Sequence, residues 1–321
     1  MEINQKNICF LLFPYVHVMD MAGAVQVFYE ATQLGNIDYK LIFAAASNKV
    51  LTEQGLTLSD LQHPSDISLN PNDFIIIPGI DFQTFTTGSL QAEIKATKSW
   101  IHKNYETGVK LATVCTASMI LAEIELLNSK SCTTHWKCID YLQENYPEVK
   151  VESDKLFVSD AGIYTSAGMT SGIDMSLSII EENQGPIVSS LVAREMVVYL
   201  RRQETSTQHS IYLDYHTHFN PLVHKVQNYI IANPDKNPSL KELARIGNTS
   251  VRNLTRSFKE ATGHTVTEFK NNIKLELARH LINNPNYTVS TISQMCGFKA
   301  PRQLQRLWKN KYGTPISDEQ P

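Results

Sequence analysis

Residues 239–263 read S-L-K-E-L-A-R-I-G-N-T-S-V-R-N-L-T-R-S-F-K-E-A-T-G, and residues 289–313 follow the same plan as V-S-T-I-S-Q-M-C-G-F-K-A-P-R-Q-L-Q-R-L-W-K-N-K-Y-G. In the first stretch Ser239 with Glu242 three residues on is a capping box, opening a short helix to Arg245. Gly247-Asn248 supplies a turn, and Ser250 caps a second helix over 251–262. In the second, a short helix over 289–295 meets the turn glycine Gly297. Pro301 then stands at a first helical position, and Gly313 ends the helix. Leu243/Ala244 and Ile292/Met295 are the expected buried seams of the short helices; Leu254/Phe258 and Leu304/Trp308, at i and i+4, are those of the long ones. The opposite faces then carry Arg252, Asn253, Arg256 and Lys259 in one case. In the other they carry Arg302, Gln303, Gln305, Arg306 and Lys309, with Lys299 just before. Arg, Asn and Gln present the forked groups that read base edges in a major groove, while Lys and spare Arg neutralise phosphates. A helical bundle with an ordinary charged surface would explain one such pair; two in order point to two helix-turn-helix units reading double-stranded DNA. Residues 266–282 are a candidate connecting helix of about 25 Å, a length suited to holding two reading helices about one DNA turn, roughly 34–36 Å, apart.

The charge distribution agrees. The chain of 321 residues has a net charge of −3, but from Met1 to Thr217 there are 14 Lys and Arg against 25 Asp and Glu, and from His218 to Pro321 there are 15 against 7. Only the basic last part is suited to a polyanion. The length suits two domains, and a hydrophobic content of 42% with 19% charged residues suits globular ones. Nothing approaches the run of about eighteen apolar residues that spans a membrane. Residues 1–6 are polar and the apolar stretch after them is short and contains Pro14, so no signal peptide is expected. Five scattered cysteines argue against a disulfide framework and for a reducing, cytoplasmic location. Cys132 and Cys138 flank His135, but no second ligand pair follows, and no metal or cofactor is expected.

Ahead of the basic part, residues 8–13, 39–46, 74–78 and 110–114 are short, nearly continuous apolar runs separated by helical or loop stretches, the pattern of buried parallel strands. Residues 21–34 and 89–105 have helical periodicity, 157–160 and 163–166 around Ala161-Gly162 form a hairpin, and 171–182 and 187–201 read as two helices. This is an α/β layered domain ending near Arg202. The polar stretch 203–210 opens a linker, which reaches toward Asn220. The domain assignment is 1–205 for the α/β domain, 206–219 for the linker and 220–321 for the all-α DNA-binding part. Cys115 falls at a strand-to-helix corner, where the helix dipole is expected to lower its thiol pKa; a buried core cysteine would need no such placement, and both readings stay open on position alone.

The stretches L-K-E-L-A (240–244), L-T-R-S-F-K-E-A-T-G (254–263), Cys296-Gly297-Phe298 and L-Q-R-L-W-K-N-K-Y-G-T-P (304–315) closely resemble the AraC family of transcriptional regulators. Val114-Cys115-Thr116, Thr133-Thr134-His135-Trp136 and Y-T-S-A-G-M-T-S-G-I-D (164–174) resemble the PfpI superfamily, specifically the amidase-like domain of GlxA-type regulators, which carry it before an AraC-type tail. The resemblance implies a flavodoxin-like α/β/α domain related to class I glutamine amidotransferases and an elbow Cys115 paired with Asp20, as in the isonitrile hydratases of the superfamily. It also implies a small-molecule pocket around Asp20, Gly79, Cys115, Thr116, His135 and Gly168. An amino acid or quaternary amine is the implied effector, activation of a catabolic operon the usual output, and a homodimer and RNA polymerase the further partners. Cys115, Asp20 and His135 are the candidate catalytic residues, with His135 open to a purely structural role beside Trp136. Ala117 stands where the superfamily usually has Gly at the elbow, Pro78-Gly79-Ile80 replaces Pro-Gly-Gly, and residues 125–129 lack two expected glycines. Backbone donors to an oxyanion depend on such turns, so the expected role is sensing rather than catalysis. The competing readings are a cysteine-dependent hydrolase or hydratase tethered to DNA, and a redox sensor at Cys115. At the extreme end Asp318-Glu319 follow Pro315, where AraC proteins often place an aromatic-Arg pair.

Overall fold

The computed structural model describes residues 4–198, 202, 218–282, 284 and 287–319; of the expected linker 206–219, only His218 and Phe219 fall within them. The chain divides into two compact units, Met1–Gln208 and His209–Pro321.

In the first unit β1 (Asn4–Leu11) leads through α1 (Val18–Leu34) to β2 (Ile37–Ala44), beside which a small hairpin, β3 (Lys49–Leu51) and β4 (Thr57–Ser59), is set. Then come β5 (Phe74–Ile77), α2 (Phe82–Thr86), α3 (Gln91–Glu106), β6 (Lys110–Val114) and α4 (Ser118–Glu123). A short parallel pair, β7 (Ser131–Cys132) and β8 (Lys150–Val151), brackets α5 (Ile139–Asn145). The hairpin β9 (Phe157–Asp160) and β10 (Ile163–Ser166) precedes α6 (Met169–Glu195). The main sheet has the order β2-β1-β5-β6-β10-β9, parallel except for the edge strand β9. This is the flavodoxin-like order with one antiparallel edge added.

Alternation along the strands fills both faces. Ile8, Phe10, Phe74 and Ile76 join the α1 and α6 side with Val27, Phe28, Ile179 and Ile180, whereas Cys9, Leu11, Ile75 and Ile77 join the other core with Ile94, Ile101, Met119 and Leu142. Two buried faces on one sheet make the α/β/α sandwich. The expected strand over 8–13 begins at Asn4 because its polar half finds neighbours: Gln5 Nε2 donates to Asp38 (2.8 Å), and Asn7 donates from its main chain and its amide to Asp73 (2.9 and 2.8 Å). The two expected helices of 171–182 and 187–201 are the two arms of α6, broken at Gly185 (φ 82°, ψ 169°) directly before Pro186. The second arm ends at Glu195, and residues 199–201 lie outside the described set.

Among the described residues of the second unit the first element is α7 (Pro221–Ala232), and then come α8 (Leu240–Ile246), α9 (Val251–Thr262), α10 (Val266–Ile282), α11 (Val289–Met295) and α12 (Pro301–Tyr312), followed by a 3-10 turn at Ile316–Glu319. Ser239 and Glu242 make the expected reciprocal cap, Ser250 accepts the N–H of Asn253, and Gly263 and Gly313 end α9 and α12 in left-handed conformation (φ 74° and 81°). Two separate cores form. Val226, Leu243, Leu254, Phe258 and Ile273 belong to one, and Leu275, Ala278, Ile292, Leu304 and Trp308 to the other; α10 contributes to both. One expected seam residue is corrected: Met295 is 39% exposed, and Cys296 and Phe298 fill the second core in its place. The chain leaves α11 immediately after Met295, so the side chain that closes the seam comes from the turn rather than from the helix's last residue.

Candidate functional site

Three strand ends meet at the switch point of the sheet, where β1 and β5 lie side by side and open α/β sheets bind ligands. From β1 the chain turns into α1, whose first turn carries Asp20, and His17 precedes that helix. Gly79 follows β5, and Cys115 follows β6 in the left-handed region (φ 59°), with a 3-10 turn at Cys115–Ala117 before α4. A non-glycine residue held there is strained, and such strain concentrates at functional positions.

The elbow is laced to its neighbours. Thr116 Oγ1 donates to the Ile80 carbonyl (2.6 Å) and accepts the Ile80 N–H (2.8 Å), Thr134 Oγ1 donates to the Cys115 carbonyl (3.1 Å), and the His17 N–H donates to the Gly79 carbonyl (2.8 Å). Gly79 has to be glycine: a Cβ there would lie 2.2 Å from Asp20 Oδ2 and 2.8 Å from Cys115 Cβ. Gly168 caps α6 together with Ser171, and its α-carbon faces the His135 ring, 3.4 Å from where a Cβ would stand.

Asp20 is 1% exposed; its Oδ2 pairs with His17 Nδ1 at 3.2 Å, and its Oδ1 has no hydrogen-bond partner among the described residues. The ligand atoms of His17, Asp20 and Cys115 lie within 4.8 Å of one another, a set able to coordinate a cation or a polar ligand. The bond to Asp20 raises the pKa of His17 against its partial burial. Burial, then the charge of Lys137, lowers that of His135. The Cys115 thiol is pushed well above the ordinary thiol range, first by burial and then by the charge of Asp20. This corrects the expected lowering. The thiol is 3% exposed, and α4 has only six residues behind a 3-10 turn, so desolvation outweighs a small dipole.

The structure therefore brings Asp20, Gly79, Cys115 and Thr116 together, with His135 and Gly168 at the side. His17, absent from the expected set, belongs at the centre. The spacing His17-Val-Met-Asp20 across a helix start was the available signal, since i and i+3 share a helix face. His135 accepts the Lys137 N–H (3.4 Å) and tilts against Trp136. Among the described residues it forms no ligand group with Cys132 and Cys138, whose thiols burial pushes up to about 12.

In the second unit Arg252, Arg256 and Lys259 on α9 are exposed, as are Lys299 and, on α12, Arg302, Gln305, Arg306 and Lys309. Open grooves run beside both helices, one past Arg252, Arg256, Lys259 and Thr265, the other past Gln305, Lys309 and Pro315. Asn253 and Gln303 are half-buried and already engaged: Asn253 donates to Thr249 Oγ1 (2.8 Å) and accepts from Arg256 (3.1 Å), and Gln303 Oε1 accepts the Lys299 N–H (3.4 Å). Asn253 thus orients the Arg256 guanidinium from within its own helix.

Two helix-turn-helix units following a flavodoxin-like layer with an elbow cysteine define the class: a helix-turn-helix DNA-binding protein that carries an α/β domain. The chain belongs to the DJ-1/PfpI family, which matches residues 6–182, and residues 243–320 match a helix-turn-helix domain. It is similar to the HTH-type transcriptional regulator CdhR of Pseudomonas aeruginosa, at 27% identity over 98% of this chain and 91% of that protein. The HTH-type transcriptional regulator GlxA of Rhizobium meliloti is 22% identical over 98% of this chain and 95% of its own length. The crystal structure of a THiJ/PfpI family protein from Pseudomonas syringae shares the fold, with a TM-score of 0.52 at 19% identity over 84% of this chain and 90% of that one. The expected union of a PfpI-like domain with an AraC-type tail is borne out.

Proposed function

We propose that this chain is a sequence-specific transcriptional regulator, acting as an activator, whose α/β domain (1–205) binds a small metabolite and whose DNA-binding domain (220–321), joined by a linker at 206–219, reads an operator. Supporting the DNA-reading half is one observation above others: each of two helix-turn-helix units has its own core and turns a cationic helix face outward, Arg252, Arg256 and Lys259 on one, Arg302, Arg306 and Lys309 on the other. The effector site is the crevice of His17, Asp20, Gly79, Cys115, Thr116, His135 and Gly168. A buried carboxylate, one of whose oxygens has no hydrogen-bond partner among the described residues, suits the cationic nitrogen of an amino acid or quaternary amine. A homodimer in the cytoplasm, engaging RNA polymerase at the promoter, completes the reading.

A raised Cys115 pKa weighs against both the hydrolase and the peroxide-sensor readings, because the thiolate is the reactive form in each. The test is a thermal-shift screen of the full chain against amino acids, betaines, polyamines and nitriles, with Cys115→Ala in parallel. Stabilisation of both forms by one class is the expected result. Stabilisation that vanishes in Cys115→Ala, with turnover of the compound, would replace the sensor with an enzyme.

A further inference from the structure

The two reading heads share α10, and the point where their cores divide is occupied by a lysine. Ile273 belongs to the first core and Leu275 to the second; Lys274 between them is 3% exposed. A buried ammonium is costly unless every donor is used. Lys274 Nζ donates to Asn237 Oδ1 (2.8 Å), in the loop ahead of α8, and to the carbonyl of Gly297, in the turn between α11 and α12. It also lies over the Phe298 ring at 5.3 Å. Asn237 Nδ2 donates to the same Gly297 carbonyl (2.7 Å), closing a triangle of lysine, amide and turn. One helical turn earlier, Lys270 Nζ donates to the Pro238 carbonyl (2.7 Å) and pins the same loop. Gly297 itself is in left-handed conformation (φ 67°), and a Cβ there would come within 1.8 Å of the Asp235 carbonyl oxygen. The loop of the first head and the turn of the second are thus in backbone contact, with Lys274 joining them.

We infer that Lys274, with Asn237, is a positioning residue for DNA recognition: a brace that locks the turn of the second helix-turn-helix against the entry loop of the first, so that α9 and α12 present to DNA as one rigid pair with a set spacing. This inference rests on the two-head reading above. Lys274 is buried and Lys270 half-buried, and both ammonium groups are engaged by protein oxygens, so the two add to the basic count of this half without standing as exposed cations. Rigid coupling makes binding of the second head intramolecular, and its benefit depends on geometry matching the span between sites. Without the brace each apolar core remains, but the loop of the first head and the turn of the second lose the side-chain links that fix one against the other.

The experiment is selection of duplexes from a random-sequence pool by the full-length wild type, Lys274→Met and Asn237→Ala, with sequencing of the enriched DNA and affinity measurement on the enriched duplexes. Each is measured as a two-block site, as either block alone, and with base pairs inserted between the blocks. Wild type is expected to enrich two blocks at one spacing. Both variants are expected to melt cooperatively, to hold single blocks within about twofold of wild type, to lose roughly tenfold on the two-block site, and to accept a broadened range of spacings. A merely structural lysine would lower single-block and two-block binding together and leave the spacing preference sharp; either result overturns the brace. Enrichment of only one block by wild type would instead defeat the two-head reading and the brace with it.

Discussion

Asp20 holds His17 with one carboxylate oxygen, and the other has no hydrogen-bond partner among the described residues, so the charge state of His17 is tied to this pair. Its folded pKa is raised, so its contribution to stability is fully present below about 6.5, the unfolded value, and is lost as pH rises through the folded pKa. The melting-temperature gap between wild type and His17→Gln is therefore expected to be widest in acid and to close toward alkaline pH; a gap that widens instead would show that the Asp20 bond is not what raises it. His135 works in the opposite sense, its lowered pKa disfavouring protonation in the folded state. At Cys115 the raised pKa predicts slow alkylation by iodoacetamide at pH 7 in the native protein, with rapid labelling only after denaturation. Mass spectrometry of the Cys115 peptide reads this directly, and prompt native labelling would restore the nucleophile reading. Asp20 and Cys115 were legible from resemblance alone. His17 was announced only by its i, i+3 spacing to Asp20, which does not by itself say that the two side chains meet.

Elements with strong local signals formed where their residues said they would. The capping box at Ser239, the connecting helix over 266–282 and the glycine stops at Gly263 and Gly313 are backbone requirements settled within a few residues. Elements whose stability is borrowed from neighbours were harder to read: the polar half of β1 depends on Asp38 and Asp73, and the seam of α11 is closed by Cys296 rather than Met295. The separateness of the two cores in the DNA-binding half has a mechanical consequence. Trp308 is fully buried in the second core, and Trp308→Ala is expected to cost about 3–5 kcal/mol. Loss of amide protection should concentrate in α11 and α12 while α8 and α9 keep theirs. Uniform loss across all six helices in hydrogen exchange would mean that the cores fold as one.

At the scale of the whole molecule the first part is acidic and the last part basic, so only the last part is suited to a polyanion. Arg256→Ala and Arg302→Ala are each expected to weaken binding to the enriched duplex by about 1–3 kcal/mol if bidentate to a base. Lys259→Ala and Lys309→Ala should instead act nearly uniformly across sequences and flatten the dependence of affinity on salt. Unchanged affinity in both arginine variants, read by gel shift, would sink the two-head model. The sequence by itself determined the change of charge along the chain, the α/β and helix-turn-helix classes, and the exposed cationic faces, and the resemblance implied the flavodoxin-like order. Periodicity, caps and charge are local properties that survive in one dimension. Only the tertiary structure decided which groups meet: His17 with Asp20, a thiol raised rather than lowered, and Lys274 at the junction of two cores. The first depends on how two side chains are oriented at one helix start, and the other two on desolvation and on contacts between residues far apart in the chain, which no local pattern carries.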